Sequence, residues 1–172
     1  MIKRTNSNDK DFQWLVEQLD AYLRIIDGDD HAFYAQYNKT NMLQHALVFY
    51  ENNIAVGCGA LKNYTDETVE IKRMYVLPEY RGKGIAASIL SELEKWAAEI
   101  GYHSLILETG KKQEDAIHLY RKCGYMLIPN YGQYENIENS VCMKKGFIMN
   151  IISILFITLT CYFLLPMLIA MQ

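Results

Sequence analysis

Arg81-Gly82-Lys83-Gly84-Ile85-Ala86 places two glycines and two cations directly before a run of helical periodicity. The first amides of a helix have no intrahelical acceptor and sit at the positive end of its dipole. Glycine lets the backbone close around a ligand, and Arg81 and Lys83 add full positive charge. A phosphate or pyrophosphate is the natural ligand for such a place. The plain alternative is a tight strand–helix turn whose cations are only solvated.

Two phosphate-binding motifs compete for this loop. Gly82-Lys83-Gly84-Ile85-Ala86-Ala87 fits G-x-G-x-x-A, a fingerprint of nicotinamide-dinucleotide sites, and Glu108 falls near the place of a ribose-binding acid. Against it, Leu77-Pro78-Glu79-Tyr80-Arg81 separates the strand from the first glycine. A dinucleotide fold also needs more βα repeats than a chain of 172 residues supplies here. A P-loop is excluded, because G-x-x-x-x-G-K-[ST] does not occur.

The elements around the loop follow from periodicity. Val69–Val76 reads as a strand, and Ile85, Ile89, Leu93, Trp96, Ala97 and Ile100 mark one face of a helix that Gly101 ends. Ile71, Met74 and Val76 break strict alternation, so a bulge is expected near Lys72-Arg73. Upstream, Ile2–Thr5 is a short strand, and Asn6–Asp9 supplies caps for a helix carrying Phe12, Leu15, Val16, Leu19, Leu23 and Ile26. That helix ends in Asp27-Gly28-Asp29-Asp30, a solvated turn without full calcium-loop spacing. His31–Asn38 is a short aromatic, helical segment whose Tyr34 serves either the core or a pocket wall. Ala46–Tyr50 and Ile54–Leu61 form a hairpin about Glu51-Asn52-Asn53, with Gly57 and Gly59 permitting close packing or a bend. Then come strand His103–Glu108, helix Gln113–Lys122, and strands Tyr125–Ile128 and Ser140–Lys145. The last two flank a loop holding Tyr131 and Tyr134, either an acceptor-binding lid or plain surface.

Two of these stretches resemble the GCN5-related N-acetyltransferase (GNAT) family. Arg81-x-x-Gly84-x-Ala86 is similar to its acyl-CoA loop, and Ala116-Ile117-His118-Leu119-Tyr120-Arg121-Lys122-Cys123-Gly124-Tyr125 to its A-x-x-L-Y-x-x-x-G-[FY] helix. The resemblance spans roughly residues 2–145. It implies an α/β (α+β) fold with a mixed, mostly antiparallel sheet flanked by helices. It also implies acetyl transfer from acetyl-CoA to a primary amine by direct attack, without a metal.

The resemblance assigns roles by position. Gly82, Lys83, Gly84, Ile85 and Ala86 would present amides to the pyrophosphate, helped by Arg81. Met74, Tyr75 and Val76 would hold pantetheine as a pseudo-strand beside the bulge. Gln113 stands where relatives often carry Asn. Tyr120 matches the general acid, or else packs its helix. Glu70 is the first candidate base and Glu108 the second; both also suit a solvated strand end or a substrate ammonium. Lys72 or Arg73 would hold a substrate carboxylate, and Tyr34, Tyr131 and Tyr134 would help to wall the acceptor site. The acceptor is a small-molecule amine, an amino acid or a peptide N-terminus. A competing class is a non-catalytic, membrane-tethered acyl-CoA sensor, and a nicotinamide-dependent enzyme is third.

Composition limits the rest. A net charge of −3 gives no general affinity for nucleic acid. Cys58, Cys123, Cys142 and Cys161 show neither metal spacing nor C-x-x-C, so they read as reduced residues of a cytoplasmic domain. The N-terminus shows no signal peptide. The chain divides into a catalytic domain, 1–146, and an uncharged apolar tail, 147–170. At about 1.5 Å per residue the tail exceeds the roughly 30 Å of a bilayer core. Lys144 and Lys145 precede it, so a transmembrane anchor would leave the domain on the cytoplasmic face. A buried helix or an unnatural extension are the alternatives. Oligomeric state is not encoded in any motif; a dimer is compatible.

Overall fold

A computed structural model describes residues 1–28, 32, 34, 36 and 43–147. Most of the aromatic segment 31–38, together with Cys161 and the apolar tail beyond Phe147, lies outside the described residues. The expected transmembrane helix therefore falls outside them. Among the described residues no helix is long and apolar enough to cross a membrane.

Among the described residues seven strands form one sheet: β1 (Ile2–Thr5), β2 (His45–Glu51), β3 (Ile54–Asn63), β4 (Thr68–Val76), β5 (Ser104–Gly110), β6 (Met126–Ile128) and β7 (Ser140–Gly146). Their order is β1-β2-β3-β4-β5-β7-β6. Only β4 and β5 run parallel; the other pairs are antiparallel. Among the described residues are helices α1 (Lys10–Asp27), α2 (Ile85–Glu99) and α3 (Glu114–Lys122).

Local chemistry sets these boundaries. Asp9 caps α1 by accepting from the amides of Asp11 at 2.9 Å and Phe12 at 3.1 Å, a contact worth about 1 kcal/mol. Asn52 (φ 50°) and Asn53 (φ 65°) make the two-residue β2–β3 hairpin turn, in which both central residues need positive φ. Gly57 and Gly59 serve close packing. A Cβ at Gly59 would lie 2.7 Å from Met74 Sδ and 2.9 Å from Leu93 Cδ1, so α2 sits directly on β3. On the opposite face Tyr75 meets Tyr22 of α1. Phe12, Leu15, Leu47, Ile89, Leu93, Leu107 and Met143 fill the core between these layers.

The expected α2 face is seen with three changes, the first being that Trp96 is only half-buried. Ile85, Ile89, Leu93 and Ala97 are buried, Leu90 joins them, and Ile100 lies past the helix end and is exposed. Gly101 follows with φ 95°, the left-handed stop its type suits. On α3 only Tyr120 is fully buried. Arg4 ties edge strand β1 to α2 through Glu92, 2.7 Å away, and through Glu99.

The expected bulge falls at Arg73. Cys58 pairs with Tyr75 but Ala60 with Lys72, so β4 carries one extra residue, and Arg73 takes φ 58°. Pairing of β4 with β5 stops at Ile71 and Leu107, although both strands continue. Beyond that point, among the described residues, β4 has no strand partner on its β5 side.

Candidate active site

The parted strands open into a solvent-open cleft. Leu19, Leu23 and Asp27 of α1 line one wall, and residues 71–74 of β4 another. Glu108, Thr109 and Gly110 of β5, with Gln113, Tyr120, Tyr34 and Tyr134, complete it. An extended ligand arm entering here would run along β4 where, among the described residues, it has no strand partner on its β5 side, toward the Glu108 carboxyl group.

The glycine loop adjoins the far side of β4. After a 3₁₀ turn at Pro78–Tyr80, Gly82 and Gly84 adopt φ of 75° and 78°, and Gly84 is the N-cap of α2. Gly84 offers no side-chain cap, so the first amides of α2 remain available to an anion. A Cβ placed on Gly82 or Gly84 would meet nothing within 4 Å; the glycines are required by backbone conformation, and the space above them is open. Arg81 does not project freely. Its Nε donates to the Val76 carbonyl at 3.0 Å, and its guanidinium stacks on Tyr22 at 4.9 Å. It thereby fixes the loop to the end of β4. Lys83 is half-exposed, 3.3 Å from Glu51.

The acceptor end is made of side chains. Glu108 accepts a hydrogen bond from Ser140 Oγ at 2.7 Å. Burial pushes its carboxyl up to about 7, the Ser140 bond and the Lys72 charge oppose this, and Glu70 and Asp27 add to it. Glu70 is 2% exposed. It is paired with Lys72 at 3.1 Å and receives a hydrogen bond from Tyr131 at 3.0 Å. Lys72 also donates to Tyr134 Oη at 2.7 Å. Burial, followed by the Glu70 charge, raises the Tyr131 and Tyr134 phenols well above their usual range, so both stay protonated. The loop that carries them is pinned by Asn130 Nδ2, which donates to Ile137 O at 2.9 Å.

Tyr120 lines the cleft and packs edge-on against Tyr125. Burial, then the nearby Glu108 charge, raises its phenol well above the ordinary value. Arg73 meets the cleft, but its Nη1 donates to Asp20 at 2.6 Å. Glu70 and Tyr131 stand behind the cleft wall rather than on it. Sequence reasoning missed Ser140, Asp27 and Thr109, which no local motif marks. Among the described residues no group of three or more His, Cys, Asp or Glu side chains gathers to hold a metal.

Comparison with known proteins agrees with this geometry. Residues 8–125 match the acetyltransferase (GNAT) family. The chain is 36% identical over 139 residues to the IAA acetyltransferase of Azospirillum brasilense, covering 76% of this chain and 87% of that protein. Its fold matches a structure described as an acyl-CoA N-acyltransferase from Klebsiella pneumoniae, with TM-score 0.73, 30% identity, and coverage of 86% of this chain and 97% of the other. It also shares the fold of a GNAT family acetyltransferase from Elizabethkingia anophelis solved with acetyl-CoA bound, at TM-score 0.53 and 22% identity over 60% of this chain and 76% of that one. The chain belongs to the GNAT family, the acyl-CoA-dependent N-acyltransferases whose cosubstrate is acetyl-CoA. That membership sets aside the dinucleotide reading of the glycine loop.

Proposed function

We propose that this protein moves the acetyl group of acetyl-CoA onto a small primary amine by direct attack, with Glu108 as general base and Tyr120 as general acid. The parting of β4 from β5 above Glu108 carries this reading. Pyrophosphate would meet the amides of Gly82–Ala86, with Arg81 bracing the loop and Lys83 adding charge. Pantetheine would run beside Met74, Tyr75 and Val76, with Gln113 alongside.

The amine nitrogen attacks the thioester carbonyl and Glu108 takes its proton. The tetrahedral intermediate then expels the thiolate, and Tyr120 returns a proton to sulfur, leaving an amide and free CoA. Once Glu108 is protonated, its charge no longer opposes ionisation of Tyr120, so the acid strengthens at the step that needs it. Glu108 is favoured over Glu70 because Glu70 is already committed to Lys72 and Tyr131. The similarity to an IAA acetyltransferase supports a small-molecule acceptor.

Thiol release from acetyl-CoA across a panel of amines tests this. Release with at least one amine is expected. Tight acetyl-CoA binding with no release from any amine would favour the sensor.

The uncharged stretch 147–170 is read as a membrane anchor. It follows β7, whose Gly146 pairs with Ser104 at the start of β5, while the cleft lies at the other end of β5. Full recovery of the intact chain in a detergent-free supernatant would end that reading.

A further inference from the structure

We propose that Lys72, clamped between Glu70 and Tyr134, is a positioning residue whose ammonium sets the charge state of Glu108 and thereby the pH at which acetyl transfer begins. The inference rests on the reading of Glu108 as the base.

Its place in the sheet is the first support. Glu70 pairs with Ile106 and Ile71 with Leu107, so Lys72 is the β4 residue that comes level with Glu108 where pairing ends. Two-residue periodicity puts Glu70, Lys72 and Glu108 on one face. Lys72 and Glu108 both line the cleft.

Restraint is the second. The Lys72 side chain is 11% exposed. Glu70 holds its ammonium at 3.1 Å and Tyr134 at 2.7 Å. Ordering a lysine costs rotamer entropy, and burying an ion pair costs desolvation that an apolar pair avoids. Stability alone therefore gives weak reason for the pair.

The surroundings are the third. Glu108 faces Glu70 and Lys72 from β4, Asp27 from α1, Tyr120 from α3, Tyr134 from the β6–β7 loop, and Ser140 and Cys142 from β7. Tyr34 reaches Ser140 at 3.3 Å. Tyr120, Tyr134 and Cys142 are kept neutral by burial. Arg73, the other cation lining the cleft, is turned to Asp20. Glu70 and Asp27 drive Glu108 toward its protonated form, and Lys72 opposes them.

The test is the pH dependence of thiol release by the full-length chain, with saturating acetyl-CoA and one amine for every variant. Wild type should show an acid limb that Glu108→Gln lacks. Lys72→Met should move the limb up by about one pH unit or more. Its rate at pH 7 should fall on the order of fivefold and recover in alkali. Lys72→Arg should restore the wild-type limb. Glu70→Gln should move it the other way, an opposite sign that loss of packing cannot produce. If Lys72→Met does not fold, the Glu70→Gln and Lys72→Arg limbs decide the matter. A limb unmoved by every Lys72 and Glu70 variant overturns the inference, as does a raised KM confined to carboxylate-bearing amines. A limb that survives Glu108→Gln overturns the reading of Glu108 instead.

Discussion

The glycine loop and the floor of the cleft are two regions built on different principles. The loop uses backbone: two left-handed glycines turn the chain so that the first amides of α2 stay open. The floor uses side chains: Lys72 of β4 with Tyr134, Glu70 and Tyr131 behind them, and Glu108 of β5 held by Ser140 of β7. Backbone amides keep their charge distribution at any pH, and a carboxyl group held near neutrality does not. The loop is suited to holding an invariant cosubstrate handle. The floor is suited to moving a proton.

Variants on each side should therefore separate binding from chemistry. Glu108→Gln should lower kcat by about 10²- to 10⁴-fold while calorimetry finds acetyl-CoA affinity unchanged. An equal loss of affinity would erase the distinction. Tyr120→Phe should cost on the order of 10²-fold in kcat, again sparing affinity. Retained turnover would return Tyr120 to a packing role.

Stability gives a third contrast. The Glu108 carboxyl, about 7 in the fold against an ordinary 4.5, holds its proton more tightly folded than unfolded. Its contribution is favourable at low pH and is lost as pH rises through that interval. Glu108→Gln stays neutral throughout. It should exceed wild type in thermal stability at pH 8, by on the order of 3 kcal/mol, and lose most of that advantage by pH 5. Melting curves at the two pH values check the sign. The smallest effect is expected in the loop. Gly84→Val meets no steric obstacle but forces a branched residue to φ 78°. That costs about 1–2 kcal/mol, read as roughly a tenfold rise in KM for acetyl-CoA with kcat kept.

Legibility in the sequence followed the same division. The loop, its helix and the bulge were readable because each is set by residues within a few positions: glycines before a 3.6-residue period, and a skipped step in a two-residue period at Lys72-Arg73. The second motif likewise located Tyr120 on its helix. The acceptor end was readable only as separate candidates. Glu70 and Glu108 stand 38 residues apart and look alike in sequence. No local signal tells that Lys72 and Tyr131 occupy one, or that Ser140 reaches the other from β7.

The sequence by itself determined the strands and helices around the cleft, the glycine turn before α2 and the family, since these rest on short-range backbone preference and periodicity. Only the tertiary structure decided which carboxylate meets the cleft and what charge surrounds it. Burial and Coulomb interaction act through space, and here they join groups as distant in the chain as Asp27, Lys72, Glu108 and Ser140.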